Sequence, residues 1–163
     1  MQISMKCSVA VHCLIFIHEA QGRVKVTGNL LAQSTKCNPV VIRNILSALK
    51  KAGIIDIPRG TGGATLCGDP SEISLYRIYS ALEPEGLSKL IGIHACEGST
   101  CPVARNIRNV LSGPYQQVED SIRHTMEGIS LQSMIDEFHD SLDNDPQVHG
   151  DKAEHDETSD VVD

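Results

Sequence analysis

Six cysteines and seven histidines are the side chains of this 163-residue chain best suited to hold a metal or act as nucleophiles. Cys96 and Cys101 bracket Glu97-Gly98-Ser99-Thr100, and His94 stands two residues ahead of the first thiol. A small glycine-containing loop of this kind can close into a disulfide, which needs Cα atoms within about 7 Å. Three readings stay open for the pair: inert thiols, a redox or electrophile switch, or ligands to a metal or cluster. Iron–sulfur clusters usually take four thiolates, so no cofactor is expected and a cluster is disfavoured. Completing one would require His94 or a second subunit. Cys37 sits just before Asn38-Pro39, where a helix N-terminus and Lys36 would favour a thiolate; the alternative is a neutral turn residue. Cys7 and Cys13 fall in an apolar segment, and Cys13 reads as a small core hydrophobe. The histidines are dispersed, with His149 and His155 near the C-terminus, and none forms the spaced pair of a zinc enzyme. No nucleophile elbow is present. The Gly60-Thr61-Gly62-Gly63 run lacks the Gly-Lys-Ser/Thr and the following helix of a phosphate-binding loop. No enzyme is expected.

A second kind of chemistry, recognition of a polyanion, has stronger support. Residues 1–65 carry eight Lys/Arg against Glu19 and Asp56, a balance of +6; the remaining 98 residues hold six basic and nineteen acidic side chains, a balance of −13. This asymmetry suggests a basic, anion-facing half joined to an acidic one; the alternative is a merely solvated surface. Within the basic half, Asn38 and Pro39 form a strong helix start. Ile42, Ile45, Leu46 and Leu49 then make one buried stripe. Val40, Arg43, Asn44, Ser47 and Lys51 lie on the opposite face and are the candidates to face DNA, near the start of a helix that fits the major groove. Arg59, Gly60 and Thr61 open a basic, glycine-rich loop that can approach a phosphate or enter the minor groove.

The elements that must position these residues follow from periodicity and punctuation. Ser4 to about Ala20 reads as a mostly buried helix, and Val26–Gln33 as a short second one with Thr27 a candidate cap. Ser34–Cys37 reads as the turn, and residues 39–52 as the third helix, stopped by Gly53. Residues 54–58 and 64–66 read as two strands around the glycine-rich tip, and Ser74 caps a helix to Leu82. After an irregular connector, a long amphipathic helix runs from Pro102 to about Met126, kinked or split at Gly113-Pro114, and Ser130 caps a last helix to Phe138. The fold class is mainly α with a small β-wing, a winged helix-turn-helix plus a long C-terminal dimerisation helix. The expected division is 1–83 for DNA binding, 84–101 for the connector with its cysteine pair, 102–140 for dimerisation and 141–163 for an acidic disordered tail. That tail either competes with DNA for the basic half or is simply a solvated terminus. Aromatic residues make up 3% and Trp is absent, so the core must be aliphatic. No apolar run long enough to span a bilayer and no secretory signal is seen, so a cytoplasmic location with no membrane partner is expected.

These residues also carry a resemblance. Lys50-Lys51-Ala52-Gly53-Ile54-Ile55, Arg59-Gly60-Thr61-Gly62-Gly63-Ala64 and Asp69-Pro70-Ser71-Glu72-Ile73-Ser74-Leu75 resemble the Rrf2 family of bacterial winged-helix repressors, as do residues 1–14 and 101–107. Asn38-Pro39-Val40-Val41-Ile42-Arg43 is most similar to its YwnA-like branch. The resemblance covers about residues 1–138. It implies homodimers joined through the long helix, bound to two-fold symmetric operators in double-stranded DNA. Recognition-helix contacts would fall on Val40, Val41, Arg43 and Asn44, and the wing arginine would be Arg59. Cluster-holding members use three cysteines in the connector, where this chain has only Cys96 and Cys101. The function expected is a sequence-specific DNA-binding regulator, a repressor, answering a redox or other small-molecule signal. The alternatives are a winged-helix interaction adaptor without DNA binding, or an iron–sulfur-dependent regulator using Cys96 and Cys101.

Overall fold

A computed structural model describes residues 5–58, 63–89 and 92–145. Arg59, Gly60 and Thr61, and the acidic tail beyond residue 145, lie outside the described residues.

Helix α1 (Met5–Ala20) is apolar on nearly every face and is wrapped by the rest of the chain, burying Cys7, Ala10, Cys13, Leu14, Ile17 and Ala20. Burying a Leu or Ile side chain completely contributes about 1.5–3 kcal/mol, so Leu14 and Ile17, both at 0% exposure, are principal core contributors. Helix α2 (Gly28–Thr35) is capped by Thr27, whose Oγ1 accepts from the Leu30 N–H at 3.3 Å. The sequence places this helix at 26–33. Val26 instead precedes the cap as a buried extended residue, and the helix persists through Thr35 until Lys36 breaks it at φ 54°. Thr35 supports the extra turn by donating its hydroxyl to the Leu31 carbonyl at 2.8 Å.

Helix α3 (Pro39–Lys51) starts as its residues dictate. The Asn38 Oδ1 accepts from the Val40 N–H at 2.8 Å, Pro39 occupies the first turn, and the expected stripe Ile42, Ile45, Leu46 and Leu49 is buried. Strands β1 (Ile55–Asp56) and β2 (Thr65–Leu66) pair antiparallel, Ile55 with Leu66 and Asp56 with Thr65, and are shorter than the sequence suggests. Together these elements make a helix-turn-helix followed by a two-stranded wing.

Helix α4 (Leu75–Leu82) is capped by Ser74, which accepts from the Arg77 N–H at 3.1 Å. The connector is less irregular than expected, because Gly86–Lys89 forms a 3-10 turn. Helix α5 (Pro102–Gly128) is not split at Gly113-Pro114: it continues as one helix through Pro114. Proline removes one N–H and crowds the carbonyl four residues earlier, here that of Val110, and both residues are exposed, so water can serve the freed carbonyl. Helix α6 (Leu131–Asp143) is also longer than expected, passing Phe138 and the boundary placed at 140. Its start is stitched to that of α4 by Leu75 N–H to Ile129 O (2.8 Å) and Leu131 N–H to Ile73 O (2.7 Å). At its far end His139 Nε2 meets Glu19 Oε1 at 2.8 Å, which ties α6 to the end of α1.

Candidate nucleic-acid interface

The recognition face of α3 forms because the other face is committed to the core. With Ile42, Ile45, Leu46 and Leu49 turned inward, Asn38, Pro39, Val40, Val41, Arg43, Asn44, Ser47 and Lys51 are all exposed. Val40 and Val41 are notable, at 55% and 40% exposure in the first turn of a helix. Apolar side chains there have little reason to face water but fit the methyl group of thymine. Arg43 and Asn44 bring donors suited to guanine and adenine edges. No acidic residue lies within α3. Among the described residues, Arg43 and Lys51 enter no ion pair, whereas Lys50 is drawn aside to Asp56 (3.0 Å) and the Ile57 carbonyl (2.7 Å). That hydrogen bond from Lys50, with one from the Ile57 N–H, holds the Asp56 carboxyl below its ordinary value.

A depression of about 430 Å³ joins this face to the start of α2, lined among others by Thr27, Gly28, Asn29, Pro39, Arg43 and Ser47. The sequence reading did not place Thr27–Asn29 beside this face. The available signal was the cap itself, since the first N–H groups of a helix are ready anion donors.

Cys37 is not part of the α3 face. Its side chain packs against the core, and its Sγ donates to the Thr35 carbonyl at 3.5 Å. Cys7 and Cys13 are buried; burial pushes the Cys7 thiol up, with the nearby Glu83 charge adding, and pushes Cys13 up to about 12, with Cys37 adding. Cys67, which sequence reasoning passed over, is half-buried on the return from the wing, where its N–H bonds to the Ile54 carbonyl at 2.9 Å.

The connector pair is arranged differently. Cys96 is half-buried, beside a depression of about 280 Å³ that also touches His94, Arg105 and Arg108. Its carbonyl accepts from the Ser99 N–H at 3.3 Å, which turns the loop back on itself. Cys101 is exposed and occupies the N-cap of α5. Its Sγ makes no regular capping bond, yet the Ala104 and Val103 N–H groups stand close enough to hold the thiol below its ordinary value. Both cysteines are free thiols. Among the described residues no group of three or more His, Cys, Asp or Glu side chains is placed to hold a metal ion. Also among them, no helix is long and apolar enough to cross a membrane.

Comparison with known proteins agrees with this geometry. The profile of the family Rrf2, described as an iron-dependent transcriptional regulator, matches residues 3–137. The chain is 32% identical over 133 residues to YwnA of Bacillus subtilis (strain 168), assigned as an HTH-type transcriptional regulator, covering 82% of this chain and 96% of that one. A crystal structure of a protein assigned as DNA-binding superposes with a TM-score of 0.65 at 30% identity, over 80% of this chain and 98% of that one. IscR of T. potens shares the fold, with a TM-score of 0.64 at 20% identity over 86% and 90% of the two chains. The iron named in the family description does not fit the donor set described above, in which the connector offers two thiols and no assembled third ligand.

Proposed function

The chain belongs to the Rrf2 family of transcriptional regulators, and from that premise we propose that it represses transcription as a homodimer on a two-fold symmetric operator in cytoplasmic DNA. The carrying observation is the α3 face, in which Val40, Val41, Arg43 and Asn44 stand exposed on a helix without a carboxylate. With α3 in the major groove, Arg43 and Asn44 read base edges and the valines meet thymine methyl groups. Ser47, Lys51 and the N–H groups at Gly28 and Asn29 take phosphates, which fix orientation but carry no sequence information. Arg59, Gly60 and Thr61 extend the interface into the adjacent minor groove. A dimer joined through α5 sets two such faces about one helical turn apart, roughly 34 Å.

The signal is read at the connector. Cys101 is the thiol best placed to react, being exposed and favoured as thiolate by helix N–H groups. Cys96 lies across a turn from it as the partner for a disulfide. Selecting bound sequences from a randomised duplex library tests the DNA reading. A palindromic consensus is expected; a protein that enriches no sequence and shows no salt-dependent binding to duplex DNA is instead an interaction adaptor.

A further inference from the structure

The segment between α1 and α2 has a fixed backbone and an exposed, basic surface. The Arg23 and Val24 N–H groups both bond to the Ala20 carbonyl, at 3.0 and 3.1 Å. Two residues later the Val26 carbonyl accepts from the Ala64 N–H at 2.9 Å, and Val26 itself is buried. Successive N–H groups in a strand point to opposite sides. The Cys67 N–H reaches toward β1, to Ile54 O at 2.9 Å, so that of Ala64 points to the other side of β2. The end of the α1–α2 segment, at Lys25 and Val26, therefore meets the start of β2 on the edge away from β1. Gly63 makes this approach possible. A Cβ at that position would stand 2.5 Å from Val26 N, 3.0 Å from Val26 O and 3.2 Å from Lys25 C. All three are backbone atoms, which cannot swing aside.

What the seated segment displays is Arg23, Val24 and Lys25, all exposed, with Val24 at 56%. Neither cation enters an ion pair among the described residues. Lys25 lies two residues before Thr27, which lines the depression shared with Arg43 and Ser47. The same strip thus adjoins the recognition face on one side and the wing on the other.

We propose that Arg23-Val24-Lys25 is a phosphate-binding edge of the DNA interface, held in register with the wing by Gly63. This rests on the DNA-binding reading above and extends it to residues outside the helix-turn-helix and the wing tip. Arg23 and Lys25 contact the sugar–phosphate backbone between the grooves entered by α3 and by the wing. Gly63 acts as a positioning residue, because any side chain there pushes the wing off the strip.

The test is fluorescence anisotropy of the full-length chain with a labelled random-sequence DNA duplex across a potassium chloride series. Each phosphate contact contributes about 0.9 to the slope of log affinity against log salt, so Arg23→Ala/Lys25→Ala, which removes two contacts from each protomer of the dimer, should lower it by about 3.6. Both side chains are exposed, so the thermal midpoint should not move. Gly63→Ala should lower the slope as well, and in that background Lys25→Ala should cost less than it does in the parent chain. A parent chain that binds duplex while the double variant keeps its full slope overturns this proposal and leaves the DNA reading standing. A parent chain that binds no duplex overturns the DNA reading. Additive effects of Gly63→Ala and Lys25→Ala overturn the positioning role. If Gly63→Ala fails to fold, the surface pair still decides whether the edge binds phosphate.

Discussion

Two side chains carry the most specific expectations. Arg43 is exposed among the shorter Val40, Val41, Asn44 and Ser47 in the first turns of α3, so its guanidinium is the candidate long-range donor toward bases. Arg43→Ala should cost about 1–3 kcal/mol of operator affinity and relax preference at one base pair per half-site. A variant that loses affinity equally for all sequences would reassign Arg43 to phosphate. Cys101 differs from Cys7 and Cys13 in the direction in which its surroundings shift the thiol. The Ala104 and Val103 N–H groups favour its thiolate, whereas burial works against those of Cys7 and Cys13. Since the thiolate is the nucleophile, Cys101 should be the first cysteine alkylated by iodoacetamide, with a rate that rises through a midpoint below that of an ordinary free thiol. Peptide mapping by mass spectrometry after brief labelling checks the order; faster modification of Cys67 or Cys37 would contradict it.

Among the elements, the link between α1 and α6 is one that no sequence pattern announces. Glu19 is partly buried, which raises its carboxyl, but hydrogen bonds from His139 and His18 and their charges outweigh burial and hold it below its ordinary value. A carboxyl depressed in the folded chain contributes stability above its unfolded value, about 4.3 for glutamate, and loses it as pH falls through the folded value. Glu19→Gln should therefore lower the thermal midpoint at neutral pH, with the gap to the parent chain closing in acid. A gap that stays constant with pH would show a packing defect and not a lost charge. The same contrast separates what the sequence discloses from what it hides. Helix α3 was legible because Asn38, Pro39 and the Ile42–Leu49 stripe are all local signals. The Glu19–His139 contact joins residues 120 apart, and the last turn of α6 has no local marker once Phe138 is passed. Pro114 misled because local propensity disfavours it, while the exposed position lets water take the bond it removes. The α3 residues proposed to face DNA are exposed in the fold. The placement of Thr27–Asn29 beside Arg43, and of the α1–α2 strip beside the wing, was not legible, because only the folded chain brings them together.

At the scale of the molecule, the odd feature is α5, 27 residues long with Met126 as its one buried residue. At about 1.5 Å per residue such a helix extends roughly 40 Å, and little of that length is covered by its own chain. Val103, Val110 and Val118 are 69%, 63% and 43% exposed, and Ile107, Leu111 and Ile122 are only half-buried on the same side. A second copy laid along this stripe would cover it, so Val110→Asp should give a folded monomer in light scattering that no longer holds its operator. A dimer that survives the charge would place the interface elsewhere. In the proposed dimer the same helix would link the cysteine loop to the DNA-facing domains. Cys101 occupies the N-cap position of its first turn, and the hydrogen bond from Ser99 N–H to the Cys96 carbonyl puts a turn between the two cysteines. A disulfide between Cys96 and Cys101 would tighten the loop, remove the free thiol at the cap and reorient the start of α5. In the proposed dimer α5 would set the separation of the two α3 faces, so a small rotation there would change how well both fit successive major grooves. Diamide treatment should therefore change operator affinity, Cys101→Ser should abolish the change, and Cys37→Ser should leave it intact, because Cys37 packs against the core away from this loop. If thiol counts show the connector pair oxidised while affinity stays the same, the two cysteines do not report to the DNA face and the signal must enter elsewhere.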